Sequence, residues 1–141
     1  MVEAYTQVCV RINLTTGSVE HEKLSKEFCK KYIGGYGFVS KILWDECPVG
    51  IDPFDPRNPF IMAIGPFPGT IVPTSSKYTL GAKAPLSGRI GFAISSGSCG
   101  AQMRRAGART CSRRSAPGTR CFSTWAAGAG KGGARRMVAI Y

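Results

Sequence analysis

The sequence predicts an α+β domain dominated by sheet, and three observations carry that reading. Thr6–Leu14 alternates apolar and polar residues, with Val8, Val10, Ile12 and Leu14 at the period of a half-buried strand. Phe60–Ile64 is a short, wholly apolar run, as a strand covered on both faces requires. Leu24–Ile33 sets Leu24, Phe28, Tyr32 and Ile33 at helical spacing with lysines on the other side, so a helix packs on that sheet.

The remaining elements follow in order. Thr15-Thr16-Gly17-Ser18 is a turn, and Val19–His21 returns as a second strand. Gly34-Gly35 closes the first helix, because glycine takes the left-handed backbone that ends one. Tyr36–Trp44 reads as a second helix with Phe38, Ile42 and Leu43 inward, finished before Pro48. GIDPFDPRNP, residues 50–59, is a proline- and aspartate-rich loop with no element of its own. Lys77–Ala82 and Arg89–Ser95 are two more strands across a Lys83–Gly88 turn, and Ala101–Ala106 is helical. No internal repeat occurs in residues 1–107.

Composition narrows the classes. A chain of 141 residues can form one domain with a modest core, and 43% hydrophobic content excludes wholesale disorder. No apolar run approaches the length of a membrane span, and MVEAYTQV lacks the basic-then-apolar order of a secretion signal. The expected setting is a cytoplasmic, thiol-reducing one. Cys9, Cys29, Cys47, Cys99, Cys111 and Cys121 show no C-x-x-C or paired Cys/His spacing, and His21 is the only histidine. A zinc site is therefore not expected, and Cys9, Cys29 and Cys99 read as small buried hydrophobes. His21, flanked by Glu20 and Glu22, reads as a solvated residue; no group in the chain is a candidate catalytic acid or base.

Charge is unevenly placed. The net charge is +11, yet all eight acids lie in the first 55 residues, and residues 108–141 hold seven cations and no acid. A basic tail of this kind suggests nucleic acid or an anionic surface, but few aromatics are interleaved for base stacking. GAGKGG (128–133) lacks the Ser or Thr of a phosphate loop and no strand precedes it.

The chemistry concentrates in Ile64–Gly107. Two tight turns, IGPFPGT and KAPLSG, and two strands lead into SSGSCG, which opens a helix. Glycine and serine leave backbone N–H groups free to approach a polar ligand, and the helix start adds positive potential for an anion such as phosphate. The same residues also serve a plain turn and helix cap.

The order of these pieces resembles the N-terminal domain of the tungsten-containing aldehyde ferredoxin oxidoreductases. That family shows a GPLTGT-like turn, a PT-small-small-[RK]-Y segment, a KSPL-[ST]-G turn and a small-residue cluster before a GAELK-AG helix. Here they stand as IGPFPGT, PTSSKY, KAPLSG and SSGSCGAQMRRAG, preceded by RINLTTG and YIGGYGF. The likeness runs from Val8 to Gly107 and implies an incomplete N-terminal cofactor-binding domain of that type. Family members hold tungsten, or molybdenum, between two pterins whose phosphates are bridged by magnesium, next to a 4Fe-4S cluster. They oxidise aldehydes to carboxylic acids and pass the electrons to ferredoxin.

By this resemblance Lys77 takes the basic position between pterin and cluster, a lysine where arginine is better known. Ile94 replaces an asparagine whose backbone carbonyl faces the magnesium, and Ser95, Ser96, Gly97 and Ser98 lie beside the pterin phosphates. Arg89 reads as a surface turn residue. The implied partners are an aldehyde and ferredoxin, with a homodimer open; a membrane is not among them, and nucleic acid is disfavoured. No run of cysteines here supplies the cluster ligands, so this chain is expected to be the base of the cofactor and not a self-sufficient enzyme. The alternatives are a small basic nucleic-acid-binding protein and a cofactor-free structural module.

From about residue 108 the strand and helix periods give way to Arg, Gly, Ala and Ser. Residues 108–141 therefore read as a disordered tail translated out of frame. Read one frame over, 108–112 permits Ala-Asp-Val-Leu and 119–126 permits Pro-Val-Leu-Leu-Tyr-Val-Gly, both like the family's continuation.

Overall fold

A computed structural model describes residues 5–110 and 136–140. Val8–Asn13 (β1) and Val19–Lys23 (β2) form an antiparallel hairpin with Val10 opposite His21. Its turn is held by Asn13, whose Oδ1 accepts from the N–H groups of Thr15 and Thr16 at 3.0 and 3.3 Å. Lys26–Tyr32 (α1) starts on Ser25, whose side chain accepts the Phe28 N–H at 3.1 Å as an N-cap should. It ends where Ile33, Gly34 and Gly35 all take positive φ. Tyr36–Glu46 (α2) follows, then Pro59–Ile64 (β3), Tyr78–Lys83 (β4), Ile90–Ser95 (β5) and Cys99–Thr110 (α3). The elements expected from periodicity are all present within a few residues of their expected bounds.

Arg136–Ile140 (β6) is the departure. Composition places the whole of 108–141 outside the fold as a disordered tail; instead α3 runs on to Thr110 and β6 occupies the middle of the sheet. The six strands stand in the order β2-β1-β6-β3-β4-β5, with β6 antiparallel to β1 and parallel to β3. The physical reason is the slot between β1 and β3, which needs an apolar strand with backbone groups paired on both sides. Val138, Ala139 and Ile140 meet that need, each at most 2% exposed.

Alternation sorts the core into two layers. On one face, Cys9, Ile61, Ala63, Val138 and Ile140 meet Cys29 of α1 and Phe38, Val39, Ile42 and Leu43 of α2. On the other, Val10, Met62, Ile64, Tyr78 and Ala139 meet Met103 of α3. Gly81 lets α2 pack tightly on the sheet, since a Cβ there would lie 2.2 Å from Val39 Cγ1. The 50–59 loop is tied down by buried Asn58, whose Nδ2 donates to Pro53 O and Lys83 O and whose Oδ1 accepts from Lys83 N. Among the described residues, no helix is long and apolar enough to cross a membrane.

Candidate functional site

Segments far apart in sequence meet at one end of β3, β4 and β5. Gly35 N–H donates to Ile64 O at 3.2 Å. A Cβ on Gly34 would sit 2.9 Å from Gly65 Cα, so the glycine junction before α2 lies directly on the turn after β3. That turn is braced from within: Thr70 Oγ1 donates to Phe67 O at 2.6 Å. Ser75 Oγ lies 2.9 Å from Phe67 O and 2.8 Å from Val72 O, with one proton to share between them.

Helix α3 locks onto the same turn. Arg104 Nη1 donates to Pro66 O at 2.6 Å and Pro68 O at 3.1 Å. In the first turn of α3, a Cβ on Gly100 would lie 2.7 Å from Ser76 O and 3.3 Å from Lys77 O. Glycine is thus what lets the helix start rest on the backbone of the PTSSKY segment. Lys77 precedes Tyr78, and Ser96 follows Ser95; Tyr78 and Ser95 are paired across the β4–β5 ladder. The two predicted motifs leave the sheet side by side.

The predicted residues are open to solvent there. Lys77, Ile94, Ser95, Ser96, Gly97 and Ser98 are all exposed. Ile94 lies within β5 opposite Thr79. Gly97 has φ +106, and no atom lies within 4 Å of where a Cβ would stand, so glycine is needed for its backbone angle and not for room. Ser98 immediately precedes α3, and its carbonyl accepts the Gln102 N–H at 3.0 Å. The first N–H groups of this 12-residue helix have no helical acceptors, and its dipole points positive toward the serines.

Electrostatics suit an anion. Residues 56–110 contain no acid at all. The acids that form ion pairs do so elsewhere: Arg11 meets Glu22 at 3.0 Å and Glu46 at 2.7 Å, Lys41 meets Asp45, and Arg57 meets Asp55. Burial alone would lower the Arg11 pKa, but its hydrogen bonds to the two carboxylates outweigh that and raise it. The exposed Ser95, Ser96, Gly97 and Ser98, the exposed Lys77 and the missing carboxylates fit phosphate-bearing ligands. They do not make a metal site by themselves. Among the described residues no three His, Cys, Asp or Glu side chains gather as metal ligands, and Cys9, Cys29 and Cys47 are free thiols. Cys111 and Cys121 lie outside the described residues.

Two residues that shape this face escaped the sequence reading, Gly100 and Arg104. Gly100 stands in a run with many glycines, and Arg104 in a basic stretch, RRAGARTCSRR, where the composition drew attention to nucleic acid. The only signal in the sequence was position: both face one side of α3, one turn apart.

The fold is shared with part of a longer chain of known structure. Its likeness to a chain of the active site complex BamBC of benzoyl coenzyme A reductase, solved with 1,5-dienoyl-CoA, has a TM-score of 0.70 and 21% identity. That likeness covers 97% of this chain and 17% of the other. The chain belongs to the aldehyde ferredoxin oxidoreductase family, whose N-terminal domain model matches residues 9–112. It is 42% identical over 98 residues to the tungsten-containing aldehyde ferredoxin oxidoreductase of Pyrococcus abyssi and 39% identical over the same length to that of Pyrococcus furiosus. It is 28% identical over 107 residues to the aliphatic sulfonate oxidoreductase, WOR-like subunit, of Pyrococcus furiosus, covering 74% of this chain and 17% of that relative. The two tungsten-containing relatives are matched over 70% of this chain but 16% of their own length, so the chain spans about a sixth of them.

Proposed function

We propose that this chain is the base on which a tungsten, or molybdenum, bis-pterin cofactor rests in an aldehyde-oxidising enzyme. The observation that carries the proposal is the seating of Gly100 on Ser76 and Lys77, which puts the lysine and the serine cluster on one acid-free face. Ser95, Ser96, Gly97 and Ser98 would hold the pterin phosphates through backbone N–H groups and hydroxyls. The backbone carbonyl of Ile94 would face the bridging magnesium. Lys77 would stand between a pterin and a 4Fe-4S cluster, where its charge favours the reduced state of either neighbour.

When bound, such a centre supplies the two-electron oxidation of an aldehyde and water to a carboxylic acid, with the electrons leaving through the cluster to ferredoxin. The role of this chain in that reaction is to bind and orient; proton transfer and the cluster cysteines would come from the rest of the polypeptide. The proposed setting is cytoplasmic, where the free thiols stay reduced. We also propose a homodimer of the full-length protein as compatible with this placement.

The test is Lys77→Ala in a full-length protein carrying this sequence at its N-terminus. Tungsten content or the rate of reduction by aldehyde should fall, while the folded content by circular dichroism holds. Unchanged metal content together with unchanged aldehyde oxidation would remove Lys77 from the site.

A further inference from the structure

Among the described residues, the two edges of the sheet are unlike. At one edge β2 reads VEHEK and is exposed along its length, so charge guards it against pairing with other strands. At the other edge β5 reads IGFAIS, with no charge and no proline. Ile90, Phe92 and Ile94 are on the face that carries α2, yet they remain 44%, 38% and 53% exposed. Helix α2 covers them in part: its first residue, Tyr36, sets its ring 4.7 Å from that of Phe92 between centroids. An uncharged edge with an apolar row on one side is a template for one more strand.

Charge decides which strand. Arg89 is exposed and stands directly before Ile90, and no acid occurs anywhere in residues 56–110. Two copies paired through β5 would bring two cationic, acid-free halves together, which opposes a symmetric dimer there. We propose that β5 accepts an extended peptide segment in which apolar side chains alternate and a carboxylate meets Arg89. The alternating side chains cover Ile90, Phe92 and Ile94, and the ladder satisfies the open backbone groups of β5. The carboxylate supplies the charge this half of the molecule lacks.

The probe is a blocked peptide about seven residues long, the usual span of a strand, alternating valine and threonine with glutamate at both ends. Its counterpart carries lysine at both ends. With the full chain, the glutamate peptide should bind about tenfold or more tighter than the lysine peptide at low salt, the difference shrinking as salt rises. Amide hydrogen exchange should slow along Ile90–Ser95 on binding. Arg89→Gln, an exposed change that leaves the ladder intact, should bring the two peptides to within about threefold of each other. Equal affinity for the two peptides overturns the proposal, as does exchange at β5 unaffected by peptide. An undiminished preference in Arg89→Gln, or β5 protected by self-association without peptide, overturns it equally.

Discussion

Gly100 sets how closely α3 approaches the segment just before β4 that carries Lys77. A methyl group there would stand 2.7 Å from Ser76 O and 3.0 Å from Ser76 C, and backbone atoms leading directly into a strand do not give way alone. Gly100→Ala should therefore destabilise the fold by about 1–3 kcal/mol, the usual cost of overpacking, read as a lowered urea midpoint. Arg104→Ala strips the same donor from Pro66 O and Pro68 O and should cost about 1–3 kcal/mol, with Arg104→Lys recovering part of it. Cys9 gives a test by pH. Burial pushes its thiol up to about 11, helped by Glu22 and Glu46 and opposed by Arg11. A group whose folded pKa is raised contributes stability below its unfolded value, and loses it as pH climbs to the folded one. Thermal stability should thus fall between about pH 9 and pH 11, by at most about 1.4 kcal/mol per pH step of one, and Cys9→Ala should flatten that fall. A decline of the same steepness in Cys9→Ala would assign it to other groups.

Among the elements, those with a clean period were legible and the one without was not. β1 showed itself by alternation, β3 by an unbroken apolar run, and α1 by apolar residues at helical spacing with its glycine stop. The β6 run Met-Val-Ala-Ile is too short to establish a period, and it follows a stretch rich in Gly, Ala and Arg. What placed it was tertiary: β1 and β3 do not pair with each other and leave a slot whose walls are Cys9, Val10, Ile61 and Met62. The candidate face was legible as motifs, because PTSSKY and SSGSCG are contiguous runs. Its assembly was not, because the contacts that join them run between backbone atoms and a glycine. Deleting residues 136–141 should open both ladders of the slot and expose Ile61 and Ala63. The expected result is loss of the cooperative thermal transition and fast exchange in β1 and β3. A truncated chain that melts as sharply as the full one would show that β6 adds nothing to the sheet.

At the scale of the molecule, the first half holds every acid and the second half holds open apolar surface. Leu86 and Ile71 are almost wholly exposed, and Ile90, Phe92 and Ile94 of β5 are each more than a third exposed. The chain expressed alone should be aggregation-prone, with a sedimentation profile that broadens as concentration rises; a sharp melt from a monomer at all concentrations would contradict this. The same scale frames the origin of residues 108–141, which we propose are translated out of frame. The family match extends to residue 112, a few residues past the change in composition near 108. A shift of frame explains why Arg, Gly, Ala and Ser replace a strand-forming pattern, and why the tail carries seven cations without an acid. The fit of β6 does not argue against it, since a slot between two apolar strands accepts any short apolar run of the right parity. The coding DNA decides. One frame over, it should read Ala-Asp-Val-Leu under residues 108–112 and Pro-Val-Leu-Leu-Tyr-Val-Gly under 119–126. If neither alternative frame carries a family-like continuation, the tail is a genuine extension, and β6 is then a strand the protein has acquired from it.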